Sequence, residues 1–218
     1  MNAEASDPED NVIAAGRAPL IMALAFTGGF SIMSIELLAG RMLAPFFGSS
    51  IYVWGSIITV FMLSLSLGYL LGGRLSLRTP SLKRFGIIFL VAGSTITPLL
   101  LGGDAIMDAV FAAIEDPRYG SLVASVALFF VPTVAMGTIS PYAVRLLVDT
   151  VGHSGQVAGL LNFVSTLGSA LGTLLTSFYF VLWFEVRNIL MSLGLALVIC
   201  GFVALIAHRN SVKRSGVV

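Results

Sequence analysis

Residues 18–35 carry no charge, and after Arg41 none appears until Arg74. Runs of this kind leave few options. In lipid every backbone N–H and C=O must find a partner within the protein, so a charge-free run of about 20 residues is built as a spanning α-helix. Six segments qualify, at 19–44, 52–73, 85–101, 121–141, 157–183 and 189–207. The composition points the same way: 57% of residues are hydrophobic and 11% charged, where a soluble domain carries about a quarter charged residues. The sequence therefore predicts an all-α integral membrane protein. A six-helix membrane domain over 18–208 is expected between tails at 1–17 and 209–218. Cys200 is the one cysteine, which excludes an intrachain disulfide. The early residues Glu4, Asp7, Glu9 and Asp10 are acidic, so a cleaved signal peptide with a basic start is not expected.

Orientation follows from the basic residues. With the N-terminus in the cytoplasm, Arg17, Arg74, Arg78, Lys83, Arg84, Arg145, Arg209, Lys213 and Arg214 fall inside. Arg41, Arg118 and Arg187 fall outside, completing the twelve. The inverted arrangement would export most of the positive charge and is rejected. Both termini are expected in the cytoplasm, and the membrane is expected to be the cell (inner) membrane. Tyr52, Trp54, Tyr119 and Trp183 then gather at the outer ends of the spans as an aromatic belt. Residues 104–116 place Ile106, Met107, Val110, Phe111 and Ile114 on one helical face, with Asp104, Asp108 and Glu115 on the other. An amphipathic helix at the outer interface is expected there.

Within "MSIELLAGRMLAPFFG" two charges need explaining. Glu36 lies roughly 25 Å along the first helix from Pro19, and a carboxylate at that depth costs several kcal/mol unless protonated, paired or wetted. Gly29 and Gly40 share its face. Glu36 is either a site for a cation or proton, or a polar pin between helices. Arg41 stands five residues on, about 140° round the helix, so the two charges make a poor intrahelical pair. Arg41 either joins the same site or snorkels to the interface, and Pro45 is expected to stop the helix.

Small residues form ridges. Ser64, Gly68 and Gly72 make a small-xxx-small ridge on the second span, and Gly168 with Gly172 repeats it on the fifth. Asn162, Ser165, Ser169, Gly172 and Thr176 keep to one helix face. That face either lines a pathway or packs closely on a neighbour. Pro132 and Pro141 bracket Gly137 in the fourth span, and Pro141 is expected to end it. The two GxxxG pairs, with Arg41 after the first span and Arg145 after the fourth, suggest a three-plus-three repeat. P-loop, zinc-protease and nucleophile-elbow motifs are absent, and His153 and His208 cannot make a metal cluster. No cofactor, metal or nucleic acid is expected, and no catalysis by the chain itself.

Three stretches carry a family resemblance. They are "IELLAGRMLAPFFGSSIYVWGSIITVFMLSLSLGYLLGGRLS", "PTVAMGTISPYAVRLLVD" and "GQVAGLLNFVSTLGSALGTLLTSFYFV". Together they resemble the membrane domain of the fused MFS/spermidine synthase proteins. "GYLLGGRLS" before a basic loop is also similar to the second-to-third helix loop of the major facilitator superfamily. Glu36, Arg41, Pro45, Trp54, Gly68, Pro141 and Gly168 are among the matching positions. The resemblance implies a bundle like half of a major facilitator and a link to an aminopropyltransferase-like enzyme. That enzyme's nucleotide-binding glycines and catalytic acid have no counterpart in these residues. "FEVRN" departs from the pattern, which has a glycine before the valine.

Two functions are therefore expected in competition. One is a transporter-like or substrate-handling subunit for polyamine-type solutes, with Glu36, Arg41, Asn162, Ser165, Ser169 and Thr176 binding substrate and Gly40, Ser64, Gly68, Gly72, Gly168 and Gly172 packing helices. The other is a non-catalytic membrane anchor or assembly subunit for a separate spermidine-synthase-like enzyme or a larger complex. Membrane lipid is an expected partner in both, together with a second copy or a partner protein.

Overall fold

The computed structural model describes residues 8–77, 80–148 and 154–215. Glu4, Asp7, Arg78 and His153, assigned above to tails and loops, lie outside them. The described residues form helices α1 Pro8–Phe47, α2 Ile51–Ser76, α3 Leu82–Ser94, α4 Ile96–Ala113, α5 Pro117–Gly137, α6 Ile139–Leu147 and α7 Ser154–Leu175. A π-helical turn, Thr176–Phe180, leads to α8 Val181–Trp183 and then α9 Val186–Ser215. They make six stretches long and apolar enough to cross a membrane: Arg17–Phe47, Ile51–Ser76, Leu82–Ala113, Pro117–Leu147, Ser154–Trp183 and Val186–Asn210. These are the six spans expected, each somewhat longer.

Local chemistry sets the boundaries. Pro45 lies inside α1, and the helix stops two residues later, where Gly48 takes φ 76° and its N–H donates to Ala44 O at 2.9 Å. That left-handed cap needs a glycine. Asp116 starts α5: its carboxylate accepts from Arg118 N at 2.9 Å, and Pro117 opens the first turn. The expected separate helix at 104–116 is instead, as far as Ala113, the far end of the third span. Its apolar side is used inward, Phe111 meeting the rings of Phe46 and Phe47 edge-on at 6.1 and 5.7 Å.

Two spans are broken in the middle by the same device. Thr95 divides α3 from α4 and Thr138 divides α5 from α6, each three residues before a proline, Pro98 or Pro141. Each proline lacks the N–H that would bond the carbonyl four residues back. Three residues before each proline a threonine hydroxyl donates to the carbonyl one turn back, Thr95 to Ala92 O and Thr138 to Ala135 O, both at 2.7 Å. Pro141 therefore breaks the fourth span and does not end it; the helix resumes to Leu147. Beyond the break, Tyr142 is fully buried and stacks on Phe85 at 5.8 Å.

The closest helix pairings are first with fifth, second with fourth, and third with sixth. Glycines make each possible. On the fifth span Gly168 and Gly172 lie against Phe26 O and Phe30 O of the first; on the second span Gly68 and Gly72 lie against Val134 O and Thr138 O of the fourth. In both pairs the partner carbonyls are one turn apart and the helices run parallel. Gly29 faces Ser165 O, and Gly137 faces Leu65 O in the corresponding place. Gly86 opposes Gly201 and Gly93 opposes Gly194, so the third and sixth spans pack antiparallel on themselves. The bundle is thus two inverted three-helix repeats. In the register these contacts set, Gly29 answers Gly137, so Arg41 and Arg145 do not answer each other. The fourth span is the most enclosed, 56% of its apolar window being buried against 17% for the fifth. The remaining apolar surface is a lipid-facing surface.

Candidate functional site

A cavity of about 210 Å³ opens where the two repeats meet, among the first, second, fourth and fifth spans. Gly28 and Gly29 let the first span pass close to the others there. The fifth span contributes Asn162, Ser165, Thr166 and Ser169, the second Leu65 and Tyr69, and the fourth Met136, Ile139 and Ser140. Leu65 and Tyr69 occupy on the second span the places that Ser165 and Ser169 occupy on the fifth. The cavity therefore straddles the pseudo-two-fold axis with one apolar and aromatic wall and one hydroxyl-rich wall. None of its described lining residues is charged. The proline break at Thr138–Pro141 supplies its fourth-span wall, because Ile139 and Ser140 are the first residues after the broken turn.

The polar face of the fifth span serves two ends. Asn162, Ser165 and Ser169 line the cavity. Ser169 also donates to Gly29 O at 3.2 Å and to its own Ser165 O at 3.1 Å, which closes the fifth span on the first. Thr176 is fully buried and away from the cavity. Its hydroxyl donates to Ser34 Oγ at 2.9 Å, and Ser34 reaches Gly172 O at 3.4 Å. The lower half of the face lines space, and the upper half is a helix contact.

The two charges are separated. Glu36 is half-buried one turn beyond Met33, which lines the cavity, but Glu36 is not itself among the lining residues. It shares a side of α1 with Gly29 and Gly40, and Gly40 accommodates the Trp54 indole of the second span. Arg41 is exposed and borders a different cavity, with Asp104 and Arg187, at the end of the bundle that carries Trp183. Ser64 is fully buried on the ridge of Gly68 and Gly72, its hydroxyl without a hydrogen-bond partner. Among the described residues no three His, Cys, Asp or Glu side chains gather as a metal site would need.

Tyr69, Ser140 and Gly28 joined the cavity without having been singled out from the sequence. The matching glycines Gly29 and Gly137 are the signal that would have found them, since they mark where the repeats touch.

Six membrane-crossing helices in two inverted repeats define a multi-pass membrane protein. Compared with protein-family models, with curated proteins and with solved structures, the chain has no match.

Proposed function

We propose that the chain is a transporter-like or substrate-handling membrane subunit that holds a small polar solute in the axial cavity. The observation that supports this is the cavity's position. Solute sites in repeat-built carriers lie near the midplane at the repeat interface, beside broken helices, and here the cavity lies between the repeats and beside the Pro141 break. The inverted three-plus-three plan also supports the half-facilitator architecture that the sequence resemblance implies. Polyamine-type solutes are the clients that resemblance suggests. Glu36 is the acid closest along the first span to the cavity-lining residues, and it would offer an ammonium group its counter-charge.

The test is uptake by reconstituted vesicles of putrescine, spermidine and a panel of neutral and zwitterionic amines. Uptake by the wild type that falls with Asn162→Leu supports the cavity. Equal uptake by Glu36→Gln would remove Glu36 from the mechanism. If no solute enters above empty vesicles, and a soluble synthase-like chain copurifies in equal amount from native membrane, the anchor reading replaces this one.

A further inference from the structure

The second cavity, of about 270 Å³, lies at the far end of the bundle from the Pro141 break, among α1, α4 and α9. We propose that it binds a monoanionic amphiphile, with one negative headgroup held by Arg41 and Arg187 and an aliphatic chain on the wall below. The charge inventory selects the headgroup. Two guanidinium groups and the Asp104 carboxylate border the space, leaving one net positive charge; the carboxylate opposes a dianion. No ion pair holds Arg41 or Arg187 among the described residues. Guanidinium forks match the paired oxygens of a carboxylate or phosphodiester.

Backbone geometry adds to this. Val186 and Arg187, the first two residues of the 30-residue helix α9, both border the cavity. The N-terminus of a long helix, with its positive dipole end, therefore opens at the same cavity as Arg41. Met42, Phe46, Leu99 and Leu190 supply the apolar wall. The site sits near the end of the first span and the start of the sixth, so in a bilayer a charged head and an apolar tail would be satisfied there together. It shares no lining residue with the axial cavity, so it stands whether or not the chain moves solutes.

A phospholipid or a soluble fatty carboxylate could supply this chemistry, and the experiment separates them. The protein is placed in phosphatidylcholine nanodiscs, and its melting midpoint is followed as phosphatidylglycerol is introduced or as octanoate is added. At least one anion is expected to raise the midpoint in the wild type: phosphatidylglycerol alone for a lipid site, octanoate for a soluble ligand. In Arg41→Gln/Arg187→Gln the anion needed for half the effect should rise roughly tenfold or more. Should that variant fold poorly, Asp104→Asn carries the test, because it should shift preference toward dianionic phosphatidic acid. No response to either anion in the wild type, an unchanged titration in the double variant, or an unchanged preference in Asp104→Asn would overturn the proposal.

Discussion

Gly159 and Gly168 stand on the same helix in opposite surroundings. A side chain at Gly159 would meet nothing within 4 Å, whereas at Gly168 it would run into the Phe26 carbonyl. Gly159→Ala should leave stability unchanged or raise it slightly. Gly168→Ala should cost about 1–3 kcal/mol, the usual penalty for overpacking, and denaturant unfolding in mixed micelles reads the difference. The bond from Thr176 to Ser34 is a buried interhelical hydrogen bond. Thr176→Ala should cost about 0.5–1.5 kcal/mol, and a double-mutant cycle with Ser34→Ala should recover most of it as coupling. At this scale the sequence was partly legible. It marked Gly168, Gly172 and the hydroxyl face by spacing alone, because helical periodicity shows which residues share a side. It could not say that Asn162 and Thr176 part company, since that depends on where the first span leaves the fifth.

At the scale of elements, the six spans were legible from charge-free length, and their inner breaks were not. A proline in a membrane helix can end it, bend it or pass unnoticed, and the outcome depends on the packing around it. Here each break falls at a threonine three residues before the proline, whose hydroxyl donates to the carbonyl one turn back. The continuation beyond Pro141 also has a task. Tyr142 OH accepts from Ser81 N at 3.1 Å, and Ser81 Oγ accepts from Arg84 N at 3.3 Å to cap α3. One tyrosine thus ties the fourth span to the start of the third. Tyr142→Phe should lose about 1 kcal/mol, and amide exchange should speed at Ser81. The reach from Asp104 to Ala113 was read as a separate helix because Asp104 and Asp108 lie opposite an apolar face. That face instead packs on the first span, Phe111 against Phe46 and Phe47, and α4 runs through without a stop.

For the whole molecule, orientation has a direct test. The basic residues predict that Ser81 faces the cytoplasm and Ser49 the opposite side. With Cys200 replaced by serine, single cysteines at Ser81 and Ser49 should react with an impermeant maleimide from opposite sides of sealed vesicles. The repeat was faintly legible through GxxxG, but its register was not. Arginines follow the membrane surface, while close-packed glycines follow the contact, and only the contact preserves the symmetry. Of the two cavities only one wall was legible, the fifth-span residues Asn162, Ser165 and Ser169; the other walls come from spans far apart in sequence.

The three closest helix pairings, each lined by glycines, join one of the first three spans to one of the last three. Within each half the spans touch less extensively. During synthesis the small-residue ridges of the first half must wait, uncovered, until the later spans are threaded into the bilayer. The early intermediate is therefore dependent on the insertion machinery and exposed to membrane proteases. Spans one to three (residues 1–114) and spans four to six (residues 115–218), produced separately, should each be degraded, and produced together they should rescue one another.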